Sequence, residues 1–273
     1  MLNNLPEELT LLILGCLVQW QSSELGIGPL SLDKSGLKAL ASICRSCKHL
    51  ERLATPLLYR QYDKVGSPTS DNSRSVSDDG ASQIEKKNVV KPNVSLRRFL
   101  RTLVERPDLA YHVKHISLAR WDTIDSLSSS GSKAEPCSAE EARRYYVAIS
   151  HILLGTVSQD WVTTWLYCLS EGLEDAEVAL LVALCPNVEI LELETPTCEG
   201  NGPKLFLRWV MQSALRSRLH TLSFDSMHTF ACLKRLRLFN QTVQDDAGFA
   251  ILRTLPECLM VPKLVISQHW PGV

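Results

Sequence analysis

Apolar residues first recur at helical spacing and later in short alternating runs. The run Leu5-Pro6-Glu7-Glu8-Leu9-Thr10-Leu11-Leu12-Ile13-Leu14-Gly15-Cys16-Leu17 opens the pattern. Pro6 suits a first helical turn, where its missing N–H costs nothing, and Glu7 and Glu8 sit where the helix dipole favours negative charge. Leu9, Leu12, Ile13, Cys16, Leu17 and Trp20 then keep the spacing of one helix face, which is read as the inward one. Leu11, Leu14 and Val18 form a second apolar stripe, read as outward. A helix apolar on two sides needs more cover than a unit of roughly 60 residues supplies, because such a unit buries only about 60% of its unfolded surface. Either a partner or the chain's own later half must complete it. Leu37, Leu40, Ala41 and Cys44 predict a second helix, and Leu50, Leu53 and Ala54 a third. Thr55-Pro56 is expected to break the third and to cap a last turn carrying Leu57, Leu58 and Tyr59.

From Lys64 to about Asn93 the chain turns to Ser, Asp, Lys and Gly, the composition of a flexible linker. Ser95 is expected to cap a helix with Leu96, Phe99, Leu100, Leu103 and Val104 on one face, stopped by Pro107. Three arginines, Arg97, Arg98 and Arg101, lie off that stripe; a solvated face is the default for them and a phosphate patch the sharper alternative. Ser138 and Glu141 form a capping box before a helix with Ala142, Tyr145, Tyr146, Ile149, Ile152 and Leu153 inward. Helices through Trp161–Leu169 and Val178–Leu184 follow. Five segments share the form apolar-x-x-apolar-x-apolar, beginning at Val113, Val188, Leu219, Leu233 and Val261. With helices or turns before the last four, they predict a degenerate repeat whose strands stack in parallel. An ordinary α/β domain is the alternative.

Two resemblances follow from these residues. Leu5-Pro6-x-Glu8-Leu9 with Ile13 and Leu17, then Leu37-x-x-Leu40-x-x-Ile43-Cys44-Arg45, then Leu53-Ala54-x-Pro56-Leu57-Leu58-Tyr59-Arg60, resemble an F-box of the fungal type. Leu233-x-x-Leu236-x-Leu238 and its companions resemble leucine-rich repeats, which F-box proteins often carry C-terminally. The expected class is α+β. A three-helix F-box-like unit (1–62) precedes a disordered linker (63–94) and an irregular α/β leucine-rich-repeat-like solenoid (95–273) with a disordered insert near 122–137. The resemblance implies a substrate-recognition subunit of an SCF-type ubiquitin ligase, bound to a Skp-type adaptor and through it to a cullin. Leu5, Pro6, Leu9, Leu11, Ile13, Leu14 and Leu17 would seat the adaptor, with Pro56, Leu57 and Tyr59 nearby. A protein target would meet the outward strand positions, among them His115, Ser117, Glu192, Thr221, Ser223, Arg235, Arg237 and Lys263. Glu192 and Glu194 against Arg235 and Arg237 would make that face bipolar.

Composition narrows the classes. Net charge is −1 with 29 basic and 30 acidic residues, so neither nucleic acid nor an anionic membrane is an expected partner. No run reaches transmembrane length, and Leu9–Val18 lacks the positive leader of a secretory signal. The chain is expected in the cytoplasm or nucleus. Nine cysteines, an odd number set mostly in apolar helical patterns, argue against a disulfide framework. Cys44-Arg45-Ser46-Cys47 has CxxC spacing but no second ligand pair, so no metal is expected. Neither GxSxG, HExxH nor a phosphate-binding glycine loop occurs, so no cofactor and no catalysis are expected. A non-catalytic scaffold is the rival reading, and a hydrolase using Cys44 or Cys185 a third. The closing Trp270-Pro271-Gly272-Val273 lacks the polar cap that stacked repeats need, so the natural chain is expected to continue.

Overall fold

The computed structural model describes residues 5–17, 20–21, 31–32, 34–64, 94–118, 121, 137–152, 159–194, 206–207, 209–210, 230, 232–239 and 263–267. Its elements, in chain order, are α1 (Glu7–Leu17), β1 (Trp20–Gln21), β2 (Ser31–Leu32), α2 (Lys34–Cys44), α3 (Lys48–Leu58), β3 (Gln61–Lys64), α4 (Val94–Glu105), α5 (Pro107–Ala110), β4 (His115–Leu118), α6 (Ala139–Ile152), α7 (Gln159–Ser170), α8 (Glu174–Leu184), β5 (Ile190–Glu194), β6 (Arg235–Phe239) and β7 (Lys263–Ser267). This is a mixed fold, helical with a small parallel sheet. The expected linker at 63–94 lies outside the described residues except at its ends, and the insert near 122–137 does so except at Cys137.

The first three helices pack on one another around Leu14, Leu40, Leu53 and Ala54, with Leu17, Leu37, Ile43 and Leu57 at the margin. Here α1 turns opposite to expectation. Its buried residues are Thr10 and Leu14, and Leu17 is half-buried one turn on. A threonine can face inward because its hydroxyl donates to the Pro6 carbonyl at 3.2 Å, which satisfies the polar group within the helix. The helix α3 also runs past the expected break. Pro56 sits inside it, two residues from its end. The ring forgoes one N–H bond, but the next bond, from the Tyr59 N–H to the Thr55 carbonyl at 3.1 Å, closes the last turn.

Two residues past Tyr59, β3 begins, and it crosses the boundary expected between the three-helix unit (1–62) and the linker (63–94). Gln61-Tyr62-Asp63-Lys64 carries a single apolar side chain, so it shows no alternation to read. The strand is set by its neighbour: Gln61 to Lys64 pair residue for residue with His115 to Leu118. Among the described residues, five strands form one parallel sheet whose order, β3-β4-β5-β6-β7, is the order of the chain. The segment at Leu219–Phe224 lies outside the described residues, and β5 pairs directly with β6.

The same step recurs where each strand begins. The Arg60 carbonyl accepts from the Lys114 and His115 N–H groups at 2.8 and 3.1 Å. The Lys114 carbonyl accepts from Glu189 and Ile190 at 2.7 and 3.0 Å, and the Glu189 carbonyl from Lys234 and Arg235 at 2.8 and 3.0 Å. Register is therefore uniform from β3 to β6.

Even positions face the large core on β3 and β4, and the register carries that face to Leu191, Leu193 and Leu236, all fully buried with Ile116. Helices supply the rest. Leu96, Leu100 and Leu103 of α4 are fully buried, as expected, although the helix begins at Val94 and leaves Ser95 inside its first turn rather than at the cap. Tyr145 and Ile149 of α6 face inward, but Tyr146 is 45% exposed against expectation, because Glu141 takes the inward place one turn before Tyr145. Gly172 ends α7 at φ 72°, a left-handed turn that lets the Leu173 N–H reach the Cys168 carbonyl at 2.9 Å. Helix α8 is apolar on all sides from Val178 onward and enclosed accordingly, with every residue from Asp175 to Ala183 buried, two acids included.

Candidate partner-binding face on the first helix

Every exposed leucine or isoleucine among the described residues lies on α1: Leu9 at 50%, Leu11 at 38%, Leu12 at 66% and Ile13 at 43%. Pro6, Glu7, Glu8 and Cys16 are exposed beside them. At about 1.5–3 kcal/mol for full burial of each such side chain, the four together forgo on the order of 4 kcal/mol in water. The inward side is fixed by Leu14, and the helix start is tied to α3 by Glu7 and Arg52, 2.8 Å apart. That exposed pair is worth roughly 0–1 kcal/mol, so apolar packing at Leu14 and not the ion pair sets the helix's rotation.

Of the residues expected to seat the adaptor, α1 presents Leu9, Leu11 and Ile13 to solvent, Pro6 just ahead of it is exposed as well, and Leu5 is half-buried. Leu14 is withdrawn into the three-helix core, where Leu17 and Leu57 also pack. Pro56 is half-buried, and Tyr59 stacks on Phe99 at 6.1 Å, facing the large core instead of α1. Burial pushes the Tyr59 hydroxyl's pKa up, with Arg106 opposing and Cys44 adding to the rise. Val18 lies outside the described residues. Leu12, the most exposed of the four, falls on the stripe that spacing alone reads as inward. With two apolar stripes of equal strength, only the self-satisfied hydroxyl of Thr10 distinguishes them.

The expected target-binding positions share the other face of the sheet. Register sets Asp63, Ser117, Glu192 and Arg237 in one row, and Gln61, His115, Ile190, Arg235 and Lys263 in the next. Thr221 and Ser223 lie outside the described residues. His115, Ser117 and Glu192 are buried, Glu192 completely, while Arg235 and Arg237 are half-buried. Glu192 accepts from the Arg237 Nη1–H at 3.0 Å and stands 3.4 Å from His115 Nε2. Burial raises its pKa, but the contacts with His115 and Arg237 outweigh that and hold the carboxyl below its ordinary range. Of the four residues expected to make a bipolar face, Glu192 and Arg237 therefore neutralise each other, and burial withdraws His115, Ser117 and Glu192 from the target expected to meet them.

A cleft of roughly 370 Å³ separates α4 from α6 and contains Arg97, Arg101, Glu105, Glu141 and Arg144. Glu141 takes Arg97 at 3.5 Å, Arg101 at 3.1 Å and the Tyr145 hydroxyl at 2.8 Å, and Arg144 pairs with Glu105 and Glu140. The arginines weighed as a phosphate patch thus meet internal carboxylates at Arg97 and Arg101. Among the described residues no cluster of His, Cys, Asp or Glu could hold a metal ion, and no helix is long and apolar enough to cross a membrane. Cys44 is half-buried near the Thr55 hydroxyl at 4.0 Å, and full burial pushes the Cys185 thiol's pKa up. No protein-family model, curated protein or solved structure matches the chain.

Proposed function

We propose that the chain is the substrate-recognition subunit of an SCF-type ubiquitin ligase, with α1 docked on a Skp-type adaptor and the C-terminal part presenting a protein target. The observation that carries this reading is the exposed apolar side of α1, Leu9, Leu11, Leu12 and Ile13, on a helix whose opposite side is already packed. A helix in a groove is read through anchors of this kind. The order of the parallel strands, with a repeated hydrogen-bond step at each start, supports a leucine-rich-repeat-like solenoid for the second part. No bond chemistry is assigned to the chain. Its contribution is proximity, since holding a target beside a ubiquitin-charged enzyme raises the effective concentration of the acceptor lysine.

Co-expression with the adaptor tests the docking. Wild type is expected to yield a one-to-one complex on size exclusion, and Leu9→Asp with Leu12→Asp to yield none while keeping its helical circular dichroism. Undiminished complex formation by the double variant would remove α1 as the docking face. Recovery of cullin with that complex separates a ligase subunit from a scaffold that merely borrows the adaptor.

A further inference from the structure

The residues that immediately precede β3, β4, β5 and β6 are Arg60, Lys114, Glu189 and Lys234, and the repeated backbone step aligns them in one row across the strand starts. Three are cations and one is an acid. The Glu189 carboxylate takes Lys114 Nζ through one oxygen and Lys234 Nζ through the other, both at 2.8 Å. These side chains stay in water, Lys114 at 45% and Lys234 at 68% exposed, while Glu189 between them is 25% exposed. Arg60 is exposed at the end of the row. Behind it, the Asn187 amide donates to the Tyr111 carbonyl at 2.9 Å and fixes the turn before β5 against the one before β4.

We infer that this row docks an extended acidic polypeptide segment, whose carboxylates cross the strand starts from Lys114 to Lys234. An ammonium group has three N–H donors, so each lysine keeps two after serving Glu189. Glu189 therefore holds both ammonium groups in place without exhausting them, which lowers the ordering cost of binding. The two lysine hydrogen bonds keep its own carboxyl ionised, down to a pKa of about 2, so the arrangement persists across the physiological pH range. Strands lie about 4.8 Å apart, so Lys114 to Lys234 spans roughly 10 Å, the length of about three residues of extended chain. Charge complementarity selects acid, because two exposed ammonium groups stand against one carboxylate there. A nucleic acid fits less well: the fixed Glu189 interrupts any continuous phosphate track, and a chain of net charge −1 lacks the basic surplus for it. The inference does not rest on the ligase reading and is tested without the adaptor.

Fluorescence anisotropy of the full chain with a labelled short polyglutamate peptide tests it. Matched polyglutamine and single-stranded DNA serve as comparison probes. Polyglutamate is expected to bind saturably at low ionic strength and to weaken as salt rises from ~50 to ~200 mM, while polyglutamine does not bind. Lys114→Gln with Lys234→Gln is expected to weaken polyglutamate about ten-fold, each single change about three-fold, and Arg143→Gln on α6 not at all. The singles keep the test open should the double variant fail to fold. Absence of saturable binding, equal losses with Arg143→Gln, or tighter binding of DNA than of polyglutamate would overturn the assignment.

Discussion

Asp175 and Glu177 both enter the core in the first turn of α8, yet their surroundings differ. Asp175 accepts from the Trp121 indole N–H at 3.1 Å and from the Phe206 backbone N–H at 2.7 Å, pinning two distant segments to one helix. Burial raises its pKa to about 6 in spite of those bonds. Glu177 is raised further, to about 7, by burial first, with Arg97 and Lys64 opposing and Glu174 and Glu141 adding to the rise. In the unfolded chain both groups ionise near pH 4, so the folded state holds more protons between there and pH 7. Stability is therefore greatest on the acid side of that window and falls as pH rises through it. For Glu177 the shift corresponds to about 3 kcal/mol. Glu177→Gln is expected to raise the urea unfolding free energy at pH 8 by about 2–3 kcal/mol and to change it little at pH 5. An equal effect at both pH values would show that packing rather than charge governs the site.

At the scale of elements, α1 separates what packs from what does not. Leu14, 3% exposed, lies against Leu40, Leu53 and Ala54. Leu14→Ala is expected to cost about 2–5 kcal/mol, whereas Leu12→Ala should fall within about 0.5 kcal/mol of wild type when no partner is present. Thermal unfolding of the two variants distinguishes them, and a larger loss at Leu12 would place the helix's inward side at the stripe first read from spacing. That α1 is a helix, and apolar on two sides, was legible from Pro6, the two glutamates and the leucine spacing. Its rotation was not, because two equal stripes decide nothing until Thr10 finds an acceptor within its own helix. For a similar reason Pro56 misled: local chemistry stops a helix there, but packing of Leu53 and Leu57 carries it one turn further. The helix α4 could be read directly, since its apolar periodicity is also its burial, and β4, β5 and β6 were legible as strands, although His115, Ser117 and Glu192 are buried beside their apolar neighbours. The strand β3 had no such signal, being specified by its partner across the sheet. On the sheet's polar face, His115, Ser117 and Glu192 read as outward yet are buried, and the mutual neutralisation of Glu192 and Arg237 depends on register between strands 45 residues apart.

For the whole molecule, the consequence of this arrangement is two hydrophobic cores of unequal size joined at a narrow seam. Leu14, Leu40, Leu53 and Ala54 make up the buried part of the first, while the second extends from Tyr62 to Leu236 and encloses α8 entirely. Across the seam Phe99 stacks against both Tyr59, at 6.1 Å, and Tyr62, at 4.5 Å, so the chain leaves α3 and enters the sheet through an aromatic contact. Local opening free energies follow the apolar surface each region buries. Amide hydrogen exchange should therefore rank α2 well below α8, with α8 exchanging only through global unfolding. Phe99→Ala is expected to lower the protection of α3 and β3 together by about 1–3 kcal/mol, because it removes the ring that both Tyr59 and Tyr62 lean on. If α2 and α8 instead shared one opening free energy, the helices and the sheet would unfold as a single cooperative unit. An adaptor bound along α1 would then be expected to stabilise the sheet as strongly as the helices, whereas two separate cores confine most of that gain to α1, α2 and α3.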